Sequence, residues 1–303
     1  MNTTESIKQA VQDKILAQLD KGIVPWQKPW KGGIRHHNLV SGHVYRGINI
    51  WLLGATDFST PYWMTFKQAN AQGWSVKKGE HASDIVFWDT ASYPVRDSKG
   101  EVITLPNGRI KTRKAFRLVM HKVFNADQVK GVVLPVIEDD NKHDPINEAQ
   151  AIIDGYVASS KVTFTVKQGN DRACYSPALD AIEIPALGQF TTAEEYYSTA
   201  FHECVHSTGH KSRLARLDTN KVEHMDDSYS FEELVAESGA CMLDAMVGID
   251  TDKIYQNATA YIKTWRDRIA NDASLVIKAS SRASTAVDYI MGIKPKVHEE
   301  VTE

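Results

Sequence analysis

Hydrophobic positions predict the secondary structure along the first part of the chain. Residues 3–21 repeat apolar side chains every three or four positions, which predicts an amphipathic helix. Residues 85–88 and 116–124 are apolar or alternate with a period of two, as half-buried strands do. Between these elements, Trp63–Gln72 favours a further helix that ends at Gly73. We therefore expect this part of the chain to be α+β.

The second part of the chain combines short strands with longer helices. Helices are expected at 148–159, about 192–208, 230–247 and 253–291, and strands at 162–166 and 181–185. The segment between the two parts changes from an apolar run to a cluster of acidic residues followed by Pro145. We therefore expect an α+β protein of two domains, residues 1–128 and 148–303, joined by a linker at 129–147.

Composition excludes two large classes of protein. The chain has 303 residues, of which 42% are hydrophobic and 24% are charged, as in ordinary globular proteins. No apolar run approaches the ~18 residues that a membrane-spanning helix needs, and the start of the chain lacks the layout of a secretory signal. Three cysteines without a CxxC pair do not make a disulfide framework or a cysteine-type zinc site. The expectation is a cytoplasmic protein without a membrane partner.

Charge and tryptophan content divide the chain in the same place. Residues 1–125 carry 12 Lys and 6 Arg against 6 Asp and 3 Glu, a net charge of +9, so the remaining residues carry −12 of the total of −3. Six of the seven tryptophans also lie in the basic part, and Trp265 is the exception. A basic, aromatic-rich part joined to an acidic part suggests that the two parts have different functions and that the basic part binds a polyanion.

The pentapeptide His202–His206, HECVH, is the most specific chemical signal in the chain. Thr192 and Glu195 can form a capping box, and Gly209 can end the helix that follows, so both histidines are expected inside one helix. Imidazoles four residues apart share a helical face and can bind one Zn²⁺ ion. Glu203 lies beside the first histidine, where it can accept a proton from water. The sequence therefore predicts a metal site with Glu203 as its catalytic base.

A catalytic zinc ion usually has three protein ligands, so a third ligand must lie downstream. Glu233 and Glu237 are the candidates, because they are four residues apart on a predicted helix that follows the histidines. HExxH followed by a helix with E-x-x-A-E resembles the zincin metallopeptidases of the glutamate-ligand type, the gluzincins. That resemblance implies Glu233 as the metal ligand and Glu237 as the residue that orients a histidine. The opposite assignment, or a role for Glu232, stays open.

The same resemblance implies a place for the substrate. The strand at Asp180–Pro185 precedes the motif helix as does the edge strand along which zincins bind an extended peptide. His210 lies only four residues past His206, so the longer HExxHxxGxxH pattern is absent, and we expect His210 at the surface or behind a ligand. Cys204 and Cys241 occupy apolar helical positions and are expected in the core. The expected metal is Zn²⁺, with Mn²⁺ as the alternative, and the expected reaction is peptide hydrolysis.

Aromatic and basic side chains interleave in the first part of the chain. Nucleic acid without a fixed sequence is bound by basic groups at its phosphates and by aromatic rings stacked on its bases, which suits single strands better than duplexes. Trp51 and Trp88 lie in apolar runs and are expected in the core. The candidate contacts are Trp26, Lys28, Trp30, Lys31, Tyr45, Arg46, Lys67, Trp74, Lys77 and Lys78.

A second resemblance rests on several motifs in a fixed order. They are PWQKPW at 25–30, N-x₃-G-x₂-Y-R-G-I-N at 38–49, WMTFKQA at 63–69, GWSVKKGE at 73–80, FHECVHSTGHKSRL at 201–214 and EELVAE at 232–237. Together they resemble the ArdC antirestriction proteins of conjugative plasmids. The resemblance implies an N-terminal domain that binds single-stranded DNA, a C-terminal zincin-like metallopeptidase domain, and protection of incoming plasmid DNA from host restriction.

Two further readings compete with a DNA-tethered metallopeptidase. The first is a non-catalytic shield that coats single-stranded DNA and keeps a structural or vestigial metal site. The second, a nuclease, is weaker because a single His₂Glu metal site lacks the carboxylate-rich two-metal layout common in nucleases. The protein substrate stays unknown, with a component of host restriction as one candidate.

Overall fold

The fold is described from a computed structural model of the chain. It describes residues 3–27, 35–135, 145–217, 225–250, 254 and 259–294. The N-terminal elements are α1 (Thr4–Leu19), β1 (His37–Asn38), α2 (Ile48–Gly54), β2 (Tyr62–Met64), α3 (Phe66–Ala71), β3 (Ser75–Val76), β4 (Ser83–Pro94), β5 (Thr112–Asn125) and β6 (Val129–Lys130).

A four-stranded sheet organises this N-terminal part. Its strand order is β1-β2-β5-β4, with β1 parallel to β2 and the other pairs antiparallel, while β3 and β6 form a separate pair. The predicted strands at 85–88 and 116–124 are therefore present and are parts of one long hairpin, β4–β5. Helix α1 is also present, and its side chains at Ile7, Val11 and Ile15 are buried, as their spacing predicts.

The helix predicted at Trp63–Gln72 is wrong in its first turn. Tyr62–Met64 forms β2 instead, and the helix begins only at Phe66. The cause is Thr65, whose hydroxyl accepts the backbone N–H of Gln68 at 3.2 Å, while Oε1 of Gln68 accepts the N–H of Thr65 at 2.8 Å. This reciprocal cap marks the first turn of the helix more strongly than the apolar spacing does.

The C-terminal part packs helices against a small sheet. Its elements are α4 (Pro145–Ser160), β7 (Thr163–Lys167), β8 (Cys174–Ser176), β9 (Ala181–Pro185), α5 (Ala193–Thr208), α6 (Met225–Val247), α7 (Thr259–Asn271) and α8 (Leu275–Ile290). The helical block expected at 253–291 is interrupted, because Asp272 accepts the N–H and the hydroxyl of Ser274, both at 2.7 Å, between α7 and α8.

The strand predicted at Asp180–Pro185 is present as β9, but its expected place at the edge of the sheet is wrong. The strand order is β7-β9-β8, so β9 lies in the middle with β7 parallel on one side and β8 antiparallel on the other. The sequence of β8 is only three residues long, which is too short for a periodic signal. Among the described strands, β8 is the edge strand that is antiparallel to its neighbour and contacts α5.

One hydrophobic core joins the two parts of the chain. It includes the buried face of α1 and residues of α5, α6 and α8. Trp26 lies at its centre, with its ring 5.1 Å from that of Trp51 and 6.0 Å from that of Trp265. Polar contacts follow the same boundary, since Arg35 and Arg46 both pair with Asp288 on α8. The two domains therefore pack against each other through a shared core.

The expected linker at 129–147 is only partly described. Its first residues form β6, which pairs with β3, and its last form the start of α4, while residues 136–144 lie outside the described part. The exact boundary stays a prediction. Within the described residues, no helix combines the length and apolar character needed to cross a bilayer.

Candidate metal centre

Helix α5 begins and ends where the sequence predicts. Thr192 caps it, since its hydroxyl accepts the backbone N–H of Glu195 at 3.2 Å. Glu195 returns its carboxylate to the N–H of Thr191 at 3.1 Å rather than to Thr192, so the capping box is shifted by one residue. The helix ends at Gly209, where a Cβ would lie 2.8 Å from Cγ of Leu217. Close packing, not a left-handed turn, requires glycine here.

The buried face of α5 leaves the two motif histidines partly exposed on a neighbouring face. Phe201 and Cys204 are buried on that face, and burial raises the pKa of the Cys204 thiol, as expected for a core cysteine. Cys241 is buried as well. The imidazoles of His202 and His206 lie one turn apart on a neighbouring face, with 3.0 Å between their Nε2 atoms. Both rings keep some exposure to solvent.

Helix α6 brings the carboxylate of Glu233 to both imidazoles. Oε2 of Glu233 lies 3.4 Å from Nε2 of His202, and Oε1 lies 3.3 Å from Nε2 of His206. One ligand atom from each of the three residues lies within 4.8 Å of the others, and within the described chain this is the group of histidine, cysteine or carboxylate side chains that meets that geometry. Two imidazoles and one carboxylate around a partly open space are a donor set that fits a divalent metal ion.

The approach of the two helices depends on Gly239. A Cβ at this position of α6 would lie 2.8 Å from Cγ2 and 3.0 Å from Cγ1 of Val205 on α5. Val205 lies between the two histidines in sequence, and Gly239 follows Glu233 on α6 by less than two turns. The glycine therefore lets the helix with the carboxylate reach the helix with the imidazoles.

The three groups are electrostatically coupled. Burial raises the pKa of Glu233, but hydrogen bonds with His202 and His206 lower it by a larger amount. The pKa therefore lies below its usual value, and the carboxylate is ionised. Burial lowers the pKa of His206, but Glu232 and Glu233 outweigh burial and raise it to about 9. In the metal-free form the cluster thus holds a proton at His206, which a metal ion has to displace.

Glu232 and Arg216 form a second layer behind His206. Oε1 of Glu232 lies 3.8 Å from Nδ1 of His206, on the side of the ring away from Glu233. Arg216 holds this carboxylate, with Nη2 2.6 Å from Oε1, and also donates to the backbone carbonyl of Val205 at 2.9 Å. Glu232 therefore lies behind His206, in the place where the sequence expected Glu237. Arg216 is not among the predicted residues, because no motif includes it.

Glu237 instead faces the N-terminal domain. Its Oε1 accepts the indole N–H of Trp26 at 3.1 Å and the side-chain amide of Gln27 at 3.4 Å. Among the described residues, it is not a member of the group of three ligand atoms. Glu203 is nearly buried next to His202, and His210 lies apart, with Nδ1 3.7 Å from Asp180.

Comparison with known proteins gives the family. Residues 5–124 match the family described as the N-terminal domain of anti-restriction factor ArdC, and residues 151–282 match the zincin-like metallopeptidase family. The metal-free crystal structure of antirestriction protein ArdC from plasmid R388 is 32% identical, has a TM-score of 0.74, and covers 94% of this chain and 97% of its own. The chain belongs to the ArdC antirestriction family.

Two other relatives add information. The Mn(II)-bound structure of the R388 ArdC protein is 31% identical, with a TM-score of 0.69, and the match covers 96% of this chain and 98% of that one. That relative thus binds a divalent metal ion. A DNA primase named TraC from Escherichia coli is 33% identical over 96% of this chain, yet the chain spans only 28% of the primase.

Most of the aromatic side chains expected to contact DNA in this ArdC-family chain are not exposed. Trp26 is fully buried, because Trp51 on α2, Trp265 on α7 and Glu237 on α6 surround its ring. Tyr45 is buried too, and burial raises the pKa of its hydroxyl. Trp74 is half-buried against Gly131. The burial of Trp26 and Tyr45 contradicts their prediction as stacking residues, whereas that for Trp74 stays a prediction.

The basic candidates divide into two groups. Lys67 and Lys78 are exposed, as phosphate-binding side chains would be. Lys77 and Arg46 are partly engaged, Lys77 with the backbone carbonyl of Asp127 and Arg46 with Asp288. The candidates Lys28, Trp30 and Lys31 lie outside the described residues. The DNA-binding assignment of all of them stays a prediction.

The structure also reverses one assignment to the core. Trp51 is fully buried, as expected, but Trp88 is 55% exposed. Both tryptophans lie in apolar runs, so the sequence does not distinguish them. Trp88 lies on β4 two positions beyond Val86, which is still buried in the core.

Proposed function

We propose that this protein binds single-stranded DNA through its N-terminal domain and hydrolyses a peptide bond at the metal centre, and so protects incoming plasmid DNA from host restriction during conjugation. The convergence of His202, His206 and Glu233 beside Glu203 carries this proposal. Two imidazoles and an ionised carboxylate are costly to desolvate together. Their convergence between two packed helices is therefore unusual unless they bind a ligand such as a metal ion.

The proposed metal is Zn²⁺, held by His202, His206 and Glu233, with Mn²⁺ as the alternative. Two imidazoles and a carboxylate are the ligand set of catalytic zinc sites that keep a position open. When bound, the ion supplies a Lewis acid for the scissile carbonyl and acidifies water. The Mn(II) seen in the R388 relative supports a divalent ion without distinguishing the two metals.

The protein side chains then divide the remaining work. Glu203 is the base that accepts a proton from the attacking water and passes it to the leaving amine. Glu232 holds the ring of His206 through Nδ1, and Arg216 keeps Glu232 ionised by lowering its pKa together with His206, against the effect of burial. The open edge of β8 offers backbone groups with which an extended peptide could pair.

Single-stranded DNA binding is supported by charge. Residues 1–125 carry a net charge of +9, and Lys67 and Lys78 are exposed. Phosphate contacts of this kind release counterions, so affinity should fall with salt, with a slope of about −0.7 per neutralised phosphate. The N-terminal match to the ArdC family supports the same assignment.

The test compares wild type with Glu203→Gln, using Glu194→Gln, an exposed change on the same helix, as the matched control. Each protein is incubated in ¹⁸O water with extract of a restriction-proficient host and single-stranded DNA, and new peptide C-termini that carry ¹⁸O are identified by mass spectrometry. We expect such termini with wild type and the control but not with Glu203→Gln, although all three retain metal.

The test is completed by measuring how well each of the three proteins protects incoming plasmid DNA from restriction in cells. Loss of antirestriction with Glu203→Gln supports the peptidase. Equal antirestriction by all three, with no labelled termini, would instead show that the protein acts as a non-catalytic shield on DNA. Cleavage of the added DNA strand would favour a nuclease.

A further inference from the structure

The β4–β5 hairpin carries two large aromatic side chains on one face. Trp88 pairs with Leu118, and Phe116 pairs with Thr90, two positions further along the hairpin. Residues directly opposite each other, and residues two apart on a strand, point to the same side of a sheet. Trp88 and Phe116 are therefore diagonal neighbours, about 7–8 Å apart or less, on the same face.

This face changes from buried to exposed along the hairpin. Val86 and Leu118 are buried in the core that includes α1, and the hydroxyl of Thr4 on that helix accepts the backbone N–H of Leu118 at 3.2 Å. Beyond them, Trp88 is 55% exposed and Phe116 is 75% exposed. More than half of the surface of each residue is therefore open to solvent. Adjacent exposed aromatic rings on a well-formed strand pair are typical of an interaction site rather than of ordinary surface.

Positive charge is concentrated along the β5 side of the same hairpin. Residues 102–125 contain six basic side chains and no acidic one. Arg117 is engaged by Asp89 at 2.8 Å and Lys122 by Asp84 at 2.7 Å. Within the described chain no salt bridge engages the other four, which are Arg109, Lys111, Arg113 and Lys114. Lys114 lies two residues from Phe116, so it shares the face with the rings.

We propose that this hairpin face is the surface on which single-stranded DNA binds, with Trp88 and Phe116 stacking on bases and Lys114 and its basic neighbours contacting phosphates. The occupant is a polyanion with accessible flat rings, because exposed aromatic faces and unpaired cations occur together here. Duplex DNA fits less well, since its bases are stacked on one another. The inference rests on the proposed function. It places the DNA-binding surface on this hairpin instead of at Trp26 and Tyr45, which are buried.

The test measures binding of a fluorescein-labelled oligothymidylate of about 20 nucleotides, longer than the roughly 4–16 that one such site covers. The variants are Trp88→Ala, Phe116→Ala and the double variant. Phe66→Ala is the matched control, because Phe66 is also an exposed aromatic residue of the N-terminal domain. We expect roughly a tenfold or larger loss of affinity for the double variant and unchanged affinity for the control.

An abasic oligonucleotide of the same length separates stacking from general damage. It keeps the phosphates but offers no bases, so the double variant and wild type should bind it equally. Lys114→Ala should weaken binding of both probes and make the salt slope shallower by about 0.7. Unfolding curves and metal content of the exposed-site variants should match wild type.

Several results would overturn the assignment. If wild type binds oligothymidylate and the double variant binds it equally well, DNA binds elsewhere and only the hairpin assignment fails. An equal loss on the abasic probe would also contradict stacking. If the double variant binds DNA like wild type but sediments differently in the absence of DNA, the face is a contact between copies of the protein and not a DNA-binding surface. If wild type itself does not bind at low salt, the DNA-binding part of the proposed function fails.

Discussion

The indole Nε1 of Trp26 donates a hydrogen bond of 3.1 Å to Oε1 of Glu237. Trp26 belongs to the N-terminal ArdC segment, and Glu237 lies one turn beyond Glu233 on α6. The N-terminal domain therefore directly contacts the helix that supplies the candidate carboxylate ligand. Both side chains are buried, so losing this hydrogen bond would leave a buried carboxylate oxygen without its indole donor and would destabilise the fold.

Replacing Trp26 with Phe should destabilise the whole fold. The variant keeps an aromatic ring but removes the N–H that satisfies a buried carboxylate. A hydrogen bond to a charged group is worth about 1.5–3 kcal/mol, and the smaller ring adds a packing loss, so the free energy of unfolding should fall by roughly 2–4 kcal/mol. Urea denaturation followed by circular dichroism measures the change.

Trp88→Phe provides the control for this prediction. Because Trp88 is exposed, its replacement should change the free energy of unfolding by less than about 0.5 kcal/mol. Equal effects of the two changes would mean that Trp26 does not join the domains through its indole.

Gly239→Ala should weaken metal binding without touching a ligand. The added methyl group would lie 2.8 Å from Cγ2 of Val205, so α6 must move away from α5, and the Glu233 carboxylate must move with it. Overpacking of this kind costs about 1–3 kcal/mol of stability, and a shifted ligand lowers metal affinity as well. Competition with a fluorescent chelator measures the affinity for Zn²⁺.

Val205→Ala, added to Gly239→Ala, tests the cause. It removes both carbon atoms that the new methyl group would meet, so the double variant should bind metal better than Gly239→Ala alone. A double variant no better than the single one would place the effect of Gly239 in the backbone of α6 instead of in the contact between helices.

Arg216→Met should weaken metal binding from behind the ligands. It leaves Glu232 buried without its cation, so Glu232 no longer holds the ring of His206 from Nδ1. Loss of such an outer partner typically lowers metal affinity about 10- to 100-fold. Isothermal titration with Zn²⁺ should show this loss, whereas Lys211→Met, an exposed change in the segment between α5 and Arg216, should leave the affinity unchanged. An unaltered affinity in Arg216→Met would remove this arginine from the site.

The sequence predicted the grouping of the candidate ligands better than the exposure of the tryptophans, for a physical reason. His202 and His206 are held by one helix, whose period alone places their imidazoles together. Trp26 and Trp88 are different, because their exposure depends on which distant elements cover them. Trp26, a candidate DNA contact, is covered by Trp265 and Glu237 of the C-terminal helices, whereas Trp88, expected in the core, is 55% exposed.

Long-range contacts also explain what was missed around the ligands. Three glutamates, Glu232, Glu233 and Glu237, are candidates by spacing alone, since all lie within about one and a half turns. Only the packing of α6 against α5 turns Glu233 to the imidazoles, Glu232 to Arg216 and Glu237 to Trp26. Arg216 lies in an irregular segment after α5, where no periodic pattern gives its direction.

Asp244 should make the stability of the protein depend on pH. It is fully buried on α6, Ser198 on α5 donates a hydrogen bond of 2.7 Å to its Oδ2, and its Oδ1 has no hydrogen-bond partner among the described residues. Burial raises the pKa of this carboxyl to about 8, and the bond from Ser198 lowers it only in part. At neutral pH the side chain is therefore mostly protonated in the folded protein and ionised in the unfolded chain.

The sign of the effect follows from where the proton is held. Because the folded pKa lies above the ordinary value of 3.8, the stabilisation is complete below about pH 4 and is lost as pH rises toward 8. The slope is about 1.4 kcal/mol per pH unit within that window. The Asn side chain of Asp244→Asn is neutral at every pH. Between pH 5 and 7 the free energy of unfolding of wild type should therefore fall more steeply than that of the variant, and the two slopes should differ by about 1.4 kcal/mol per pH unit.

Urea denaturation at several pH values measures this difference. Asp267→Asn, which removes an exposed carboxyl on α7, is the matched control and should leave the wild-type slope intact. Parallel curves for wild type and Asp244→Asn would show that Asp244 is ionised in the folded state. In that case Oδ1 must have a partner, such as water entering between α5 and α6, that compensates the buried charge.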